Sequence, residues 1–170
     1  GLVARLLDGE TTSVEKRLAK PAADWKEFEF TLKPTASCDN AAILVGVRGE
    51  GKVWLDQVSM MPESWRKAGG FRPDLLHAIA DLKPPVIRWP GGCYASLYRW
   101  KDGIGPQHKR VRFPAAMWDD VDTNSFGTDE FIAMCRKVGA EPLIVVDIGM
   151  HKPREERDAY CREACEWIEY

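Results

Sequence analysis

Two short segments place polar or glycine residues directly after an apolar run, where a strand would end. Arg88-Trp-Pro-Gly-Gly-Cys93 continues the run that begins at Val86, and Asp147-Ile-Gly-Met-His151 follows the run at 143–146. A cation at the end of a buried strand must find a carboxylate or a polar ligand, because burying an unpaired charge is costly. A glycine pair lets the backbone turn sharply or approach a ligand closely. These two segments are therefore the candidates for a binding site.

The charged side chains in these segments each allow a structural and a functional interpretation. Arg88 either contacts a ligand or pairs with a neighbouring carboxylate and orients it, and the sequence leaves both open. Asp147 either hydrogen-bonds a sugar hydroxyl or accepts hydrogen bonds from the amides of its own loop. His151 is expected to be solvated, and His77 and His108 show no metal-ligand spacing. We therefore predict no metal ion and no cofactor.

Tryptophan usage indicates a carbohydrate ligand. The chain has 7 tryptophans in 170 residues, and Trp89, Trp100 and Trp118 fall in or beside one long segment rich in glycine and proline. Indole rings pack on the apolar C–H faces of sugars while polar neighbours bind the hydroxyls. Each ring taken alone is more often a core residue, but loops longer than about 12–15 residues are usually functional or disordered. The grouping of these rings favours a sugar site.

Alternating helices and strands must position these segments. Strands that alternate with helices are typical of parallel α/β sheets, and two such units fit part of a (β/α)8 TIM barrel. Ligands of such barrels bind at the C-terminal ends of the strands. The predicted order is a helix at 72–82, a strand at 86–89, a loop at 90–123, a helix at 128–138 capped by Thr128 and ended by Gly139, a strand at 142–147, and a helix at 157–170.

The beginning of the chain has the period of β-structure instead. Residues 28–33 alternate apolar and polar side chains, and residues 42–48 and 53–60 are rich in β-branched and aromatic residues, so three strands are predicted. Short strands separated by turns indicate the closing part of a β-sandwich. The predicted fold class is therefore all-β followed by α/β, with a carbohydrate-binding-like domain at 1–62 and a partial barrel domain at 63–170.

Composition excludes two classes of partner. The net charge is −2, and no basic stripe or lysine run suggests nucleic acid. No apolar run approaches the ~20 residues that cross a bilayer. The five cysteines show no metal-ligand spacing and are expected to be buried free thiols. We predict no nucleic-acid partner and no membrane partner, and we leave the oligomeric state open.

The two ends of the chain resemble cuts. The chain begins at Gly1 without an initiator methionine and stops at Tyr170 inside a helical pattern. We therefore expect an internal segment of a longer protein. Its compartment stays open, with a weak preference for an extracellular or periplasmic location.

Six motifs follow one another along the chain, at 51–62, 71–75, 84–93, 98–106, 123–131 and 139–142. Any one motif alone is weak, whereas six in order at compatible spacings are specific. Together they resemble the α-L-arabinofuranosidases of glycoside hydrolase family 51, strongly over the last two-thirds of the chain and loosely before.

The resemblance implies a retaining hydrolase that removes terminal α-L-arabinofuranosyl groups from arabinoxylan, arabinan or their oligosaccharides. Such an enzyme uses two glutamates with carboxyl groups about 5 Å apart. If residues 86–89 are barrel strand 2 and residues 143–147 are strand 3, both glutamates follow Tyr170. We therefore assign no catalytic residue in this chain and expect the segment itself to be inactive. The strand mapping gives no such role to Glu130, Glu141 or Glu169.

The same resemblance implies five substrate-binding positions. Arg88 matches the family's active-site arginine, and Trp118 matches a tryptophan that can line the arabinose pocket. Gly92 belongs to the matching glycine pair, and Cys93 stands where many members have asparagine. Asp147 also stands where the family has asparagine. These two departures put direct sugar hydrogen bonds at positions 93 and 147 in doubt, because a thiol is a poorer partner for hydroxyls.

Two alternatives remain open beside this interpretation. The first is a non-catalytic carbohydrate-binding module, in which Trp25 and Trp54 would bind polysaccharide. Trp54 lies between two apolar residues in a predicted strand, and core packing is its expected use. The second alternative is another barrel glycosidase with a different sugar specificity. In each case the expected partner is a polysaccharide or oligosaccharide, and under the leading interpretation it contains arabinose.

Overall fold

The computed structural model describes residues 1–115 and 117–170, except the side chain of Thr12. The chain divides into two compact units, Gly1–Val58 and Ser59–Tyr170. The division lies close to the end of the predicted β-region at Pro62. Each unit has its own secondary structure and is described separately.

The unit Gly1–Val58 contains one antiparallel sheet of three strands. Its strands are β1 (Leu2–Asp8), β2 (Thr11–Arg17) and β3 (Ala41–Val47), in the order β2-β1-β3. The central strand β1 is the best covered, since residues 2–4 are at most 4% exposed. Strand β3 confirms the prediction for residues 42–48, whereas β1 and β2 were not identified individually from the sequence.

Two predicted strands of this unit are wrong. Residues 28–33 and 53–60 have no regular secondary structure, although their sequences alternate or are apolar. A strand needs a neighbour for its backbone N–H and C=O groups, and an alternating pattern does not supply that neighbour. Trp54 was expected in the core but is 73% exposed. Trp25 is 75% exposed.

The unit Ser59–Tyr170 mixes helices with short strands. Three 3-10 helices lie in the segment predicted as a long loop, at Gly92–Ser96, Trp100–Gly103 and Gln107–Lys109. Position 116 of that segment lies outside the described residues. The remaining elements are α1 (Glu63–Lys67), α2 (Pro73–Asp81), β4 (Val86–Trp89), β5 (Phe113–Ala115), β6 (Asp120–Asp122), α3 (Thr128–Val138), β7 (Glu141–Ile144) and α4 (Arg154–Glu169).

Most predicted elements of this unit are confirmed, with shifts at their ends. Helix α2 has Pro73 in its first turn, as its sequence indicates. Helix α3 ends at Gly139, which has the left-handed backbone (φ 74°) that glycine adopts without strain. Strand β7 ends at Ile144 rather than Asp147, and α4 begins at Arg154 rather than Arg157.

The start of α3 differs from the prediction that Thr128 caps it. The capping position is Gly127, whose N–H donates to the Glu130 carboxylate at 2.8 Å. A Cβ on residue 127 would lie 1.9 Å from the carbonyl oxygen of Gly103, so no larger residue fits there. Thr128 is the first helical residue instead, and its hydroxyl accepts a hydrogen bond from Trp167 Nε1 at 3.0 Å.

An aromatic cluster forms the core of this unit. Tyr98, Trp100 and Trp167 are buried together, with the rings of Trp100 and Trp167 stacked at 6.2 Å. Trp89 at the end of β4 stacks on Phe131 of α3, with ring centroids 5.3 Å apart. The long segment after β4 is therefore packed against the helices through its own aromatic residues.

The cysteine prediction is wrong for most positions. All five thiols are free, but only Cys135 is buried; Cys93, Cys161 and Cys165 are exposed and Cys38 is intermediate. Helical positions 161 and 165 lie beside the buried face formed by Tyr160 and Ala164, not on it. Among the helices that the structure describes, none has the length and apolar composition of a membrane-spanning segment.

Candidate functional site

The site is built at one edge of the two-stranded sheet. Strands β4 and β7 are parallel and adjacent, with Arg88 opposite Leu143 and Trp89 opposite Ile144. The pairing continues one step further, because Val145 N–H donates to the Trp89 carbonyl at 3.0 Å. The segments that follow both strands therefore leave the sheet at the same edge, which is where parallel α/β sheets bind ligands.

Arg88 is exposed at this edge, in contrast to the prediction of a buried cation. Its guanidinium lies over Gly91, such that a Cβ at position 91 would be 3.2 Å from Nη2. Among the described residues no carboxylate lies within ion-pair distance of Arg88. Within the described residues, β4 pairs with β7 alone, so its other edge has no strand beside it. Arg88 is consequently a cation free to receive an anionic or hydroxylated ligand.

Gly92 and Cys93 begin the first 3-10 helix after β4. Gly92 has φ +58°, a left-handed backbone in which side chains other than that of glycine are strained. This turn directs the chain back across the end of the strand. The Cys93 thiol that follows it is exposed.

Asp147 lies at the end of the segment that follows β7. Its side chain is only 13% exposed, and Oδ1 accepts a hydrogen bond from Gly149 N–H at 2.8 Å. The expected loop-amide contact is thus present. The other oxygen, Oδ2, is buried and has no hydrogen-bond partner among the described residues. His151, predicted to be solvated, is 42% exposed in its side chain and has Nδ1 3.6 Å from Asp147 Oδ1.

Trp118 lies in the turn of the β5–β6 hairpin and is 56% exposed. Its ring meets that of Tyr94 edge-on, with centroids 5.8 Å apart. The Tyr94 hydroxyl donates a hydrogen bond to Asp122. Burial, and to a smaller extent this hydrogen bond, raises the pKa of Tyr94. An open cavity of about 360 Å³ lies here, and its lining residues are Tyr94, Ala115, Trp118, Asp120, Val121, Asp122 and Thr123.

Sequence reasoning missed the most buried ion pair of this unit. The side chain of Arg110 is 2% exposed, and its guanidinium donates two hydrogen bonds of 2.9 Å to the two oxygens of Glu130. Burial raises the pKa of Glu130, but the hydrogen bonds from Arg110 and from the Gly127 N–H together lower it by more. The net effect is a pKa below the ordinary value. Glutamate three residues after a capping residue is a known pattern, and it would have indicated Glu130 if Gly127 rather than Thr128 had been recognised as the cap. No local signal identifies Arg110.

These residues offer binding groups rather than reacting groups. An exposed indole can pack on a sugar face, and a guanidinium and a carboxylate can bind its hydroxyls. Arg88, Gly92, Cys93 and Asp147 belong to the two segments that leave one sheet edge, and Tyr94 connects the first of these segments to Trp118. Within the described residues no three metal-ligating side chains come together.

Comparison with known proteins identifies the family. The domain described as "Alpha-L-arabinofuranosidase 1 domain" matches residues 78–170, which is more than half of the chain. The chain therefore belongs to the α-L-arabinofuranosidases of glycoside hydrolase family 51.

Individual relatives agree with this assignment. The chain is 31% identical over 176 residues to α-L-arabinofuranosidase 1 of Arabidopsis thaliana, covering 96% of this chain and 26% of the relative. It is 36% identical over 121 residues to an intracellular exo-α-L-arabinofuranosidase of Bacteroides ovatus, covering 71% and 21%. The chain thus spans about a quarter of the length of these relatives.

A solved structure is similar to part of the fold. The α-L-arabinofuranosidase of Thermotoga maritima, in complex with arabinose, superposes with a TM-score of 0.52 at 44% identity. The match covers 59% of this chain and 19% of the Thermotoga chain. The described mixture of helices and strands is therefore that of a segment of a family 51 enzyme.

Proposed function

We propose that the complete protein containing this chain is a retaining, exo-acting α-L-arabinofuranosidase that releases terminal arabinofuranosyl groups from arabinoxylan or arabinan. This chain supplies part of the sugar pocket: Ser59–Tyr170 is a portion of a (β/α)8 barrel, and Gly1–Val58 is part of a β-sandwich. The two reacting glutamates belong to the remainder of the protein.

The observation that carries the proposal is the parallel pairing of β4 and β7. Their register brings the segment starting at Arg88 and the segment ending at Asp147 to one edge of the sheet. Arg88 has a free guanidinium, and Asp147 has one buried oxygen without a partner among the described residues. Both groups are suited to hydroxyls of a furanose ring, and Trp118 supplies an exposed indole for its apolar face.

The test is hydrolysis of 4-nitrophenyl α-L-arabinofuranoside by the complete protein. Arg88→Ala is expected to lower kcat/KM by about tenfold or more, as expected for loss of a transition-state contact. Arg136→Ala, which removes an exposed arginine from α3 of the same unit, is the matched control and should retain wild-type turnover. Unchanged kcat/KM in Arg88→Ala contradicts the site, and no arabinose release by the wild-type protein contradicts the function.

A second candidate function concerns the unit Gly1–Val58. Trp25 and Trp54 are 75% and 73% exposed, which is unusual for large aromatic residues and favours polysaccharide binding by this unit. Affinity electrophoresis of the complete protein in gels with arabinoxylan tests it. Trp54→Ala and Trp25→Ala should reduce retardation while hydrolysis of the small chromogenic substrate stays unchanged. Equal retardation of the variants and the wild type leaves these residues without a binding role.

A further inference from the structure

The β5–β6 hairpin is joined to helix α3 at its base by buried polar contacts. Arg110 precedes the hairpin and contacts Glu130 in the first turn of α3. The same guanidinium donates to the carbonyl oxygens of Gly105 and Asn124, each at 2.9 Å. Four hydrogen bonds from one buried side chain thus connect the chain before the hairpin, the chain after it, and the helix.

Asn124 closes the base of the hairpin from the other side. It is 1% exposed, and its Nδ2 donates to the Val111 carbonyl at 2.6 Å. Its backbone is left-handed (φ 54°), a conformation that asparagine tolerates better than most residues. Its own N–H donates to Asp122 Oδ1 at 2.6 Å, and Asp122 is the residue that accepts the Tyr94 hydroxyl.

A continuous series of contacts therefore leads from helix α3 to Trp118. It runs from Glu130 to Arg110, through Asn124 to Asp122, and from Asp122 to the Tyr94 ring that packs against the indole. Among the described residues, Tyr94 is the aromatic partner of Trp118, which is 56% exposed in a short hairpin of three-residue strands. A two-stranded hairpin of this length is marginal by itself and needs packing from outside.

We propose that Arg110 is a positioning residue for substrate binding: its ion pair with Glu130 holds the β5–β6 hairpin so that Trp118 and Tyr94 form one wall of the sugar site. This inference rests on the proposed function and assigns a role in substrate binding to an ion pair at the base of the hairpin. Arg110 does not itself touch the sugar. Its loss moves the wall, so it weakens substrate binding more than it slows the chemical step.

A purely stabilising role for the Arg110–Glu130 pair predicts different results. A pair that only stabilises the fold would alter thermal stability without a selective change in KM. A pair that acts through Trp118 must give non-additive effects with a Trp118 substitution, because the two changes then remove the same interaction.

The first measurement is hydrogen exchange of the complete protein in Arg110→Gln and Glu130→Gln. We expect amides of the β5–β6 hairpin to exchange about tenfold faster, while those of β4 and β7 keep their wild-type rates. Arg72→Gln is the matched control, because Arg72 makes an equally bidentate but exposed pair with Asp74. Unaltered exchange in the hairpin of both variants overturns the positioning role. If Arg110→Gln does not fold, Arg110→Lys keeps the charge and loses the fork geometry.

The second measurement is steady-state hydrolysis of the chromogenic arabinofuranoside. Arg110→Gln should raise KM by about tenfold with kcat within about twofold of wild type, and Arg110→Gln in a Trp118→Ala background should add little further. Additive effects, or a loss confined to kcat with KM unchanged, overturn the role. Failure of the proposed function can be told apart from failure of this inference. If the wild-type protein releases no arabinose, the proposed function fails, but hydrogen exchange still shows whether Arg110 and Glu130 hold the hairpin.

Discussion

The unit Ser59–Tyr170 has a buried aromatic cluster beside the exposed Trp118 of the site, whereas both tryptophans of the unit Gly1–Val58 are exposed. In the first, Trp100 and Trp167 are 6% and 7% exposed and stack on each other. In the second, Trp25 and Trp54 are about three-quarters exposed. The same residue type therefore contributes to a core in one unit and to the surface in the other.

One glutamate from each unit shows a similar difference in burial. Glu15 on strand β2 contacts Arg5 and Arg48 at 2.7 Å, and all three side chains are partly exposed. Glu130 contacts Arg110, whose side chain is 2% exposed. The buried pair joins the segment before β5 to helix α3, whereas the Arg72–Asp74 pair of the same unit stays exposed. Burial therefore distinguishes the Arg110–Glu130 pair from the Glu15 pairs and from other pairs of its own unit.

The largest expected effect concerns Phe131, which is fully buried beneath Trp89. Phe131→Ala should destabilise the unit Ser59–Tyr170 by about 4 kcal/mol, because it removes a whole ring and leaves a cavity. Trp54→Ala, at an exposed ring of similar size, should change stability by no more than about 0.5 kcal/mol. Native-state hydrogen exchange of the complete protein measures both. Similar losses from the two changes would show that Trp54 is covered and would remove the contrast between the units.

A second contrast concerns two glycines without a left-handed backbone. Gly127→Ala should destabilise helix α3 by about 3 kcal/mol, because the new Cβ would meet the Gly103 carbonyl oxygen and the backbone must move. Gly46→Ala on strand β3 meets only the end of the Leu44 side chain, which can move aside. Circular dichroism during thermal unfolding compares the two variants. A neutral Gly127→Ala would mean that Gly103 and Gly127 are further apart than the structure shows.

Helices and the parallel β4–β7 pair were predicted more accurately from the sequence than the strands at 28–33 and 53–60. Helices α2 and α3 follow the predicted bounds closely because a helix satisfies its own backbone hydrogen bonds and needs only one apolar face. Residues 28–33 and 53–60 fail because a strand depends on a partner elsewhere in the chain.

Some features of the candidate site could be predicted from the sequence and others could not. The parallel edge that brings Arg88 and Asp147 to the same side follows from strand order and hydrophobic pattern alone. The exposure of Arg88 and the Arg110–Glu130 pair do not, because each depends on which distant residues complete the surroundings. Arg110 lies 20 residues from its partner in the chain, and neither residue has a local pattern that specifies the other.

The smallest expected effect compares the two glutamates as pH falls. Both carboxyl groups have lowered pKa values: Glu15 chiefly through its hydrogen bond from Arg5, and Glu130 through Arg110 and Gly127 N–H against an opposing effect of burial. A carboxyl group whose pKa is lower in the folded protein stabilises the fold above its unfolded pKa. That stabilisation is lost as pH falls through the folded value. Glu130→Gln should therefore destabilise by about 2 kcal/mol near pH 7, as expected for hydrogen bonds to a charged group.

The difference between Glu130→Gln and wild type should shrink when the pH falls below about 4.3, where free glutamate becomes protonated. The Glu15→Gln change should show the same direction, but added salt should abolish it, because exposed ion pairs are screened. Thermal unfolding of both variants near pH 7 and at about pH 3, with and without added sodium chloride, separates these cases. Equal salt dependence of the two variants would place the Arg110–Glu130 pair in solvent and would also undermine its role in holding the hairpin.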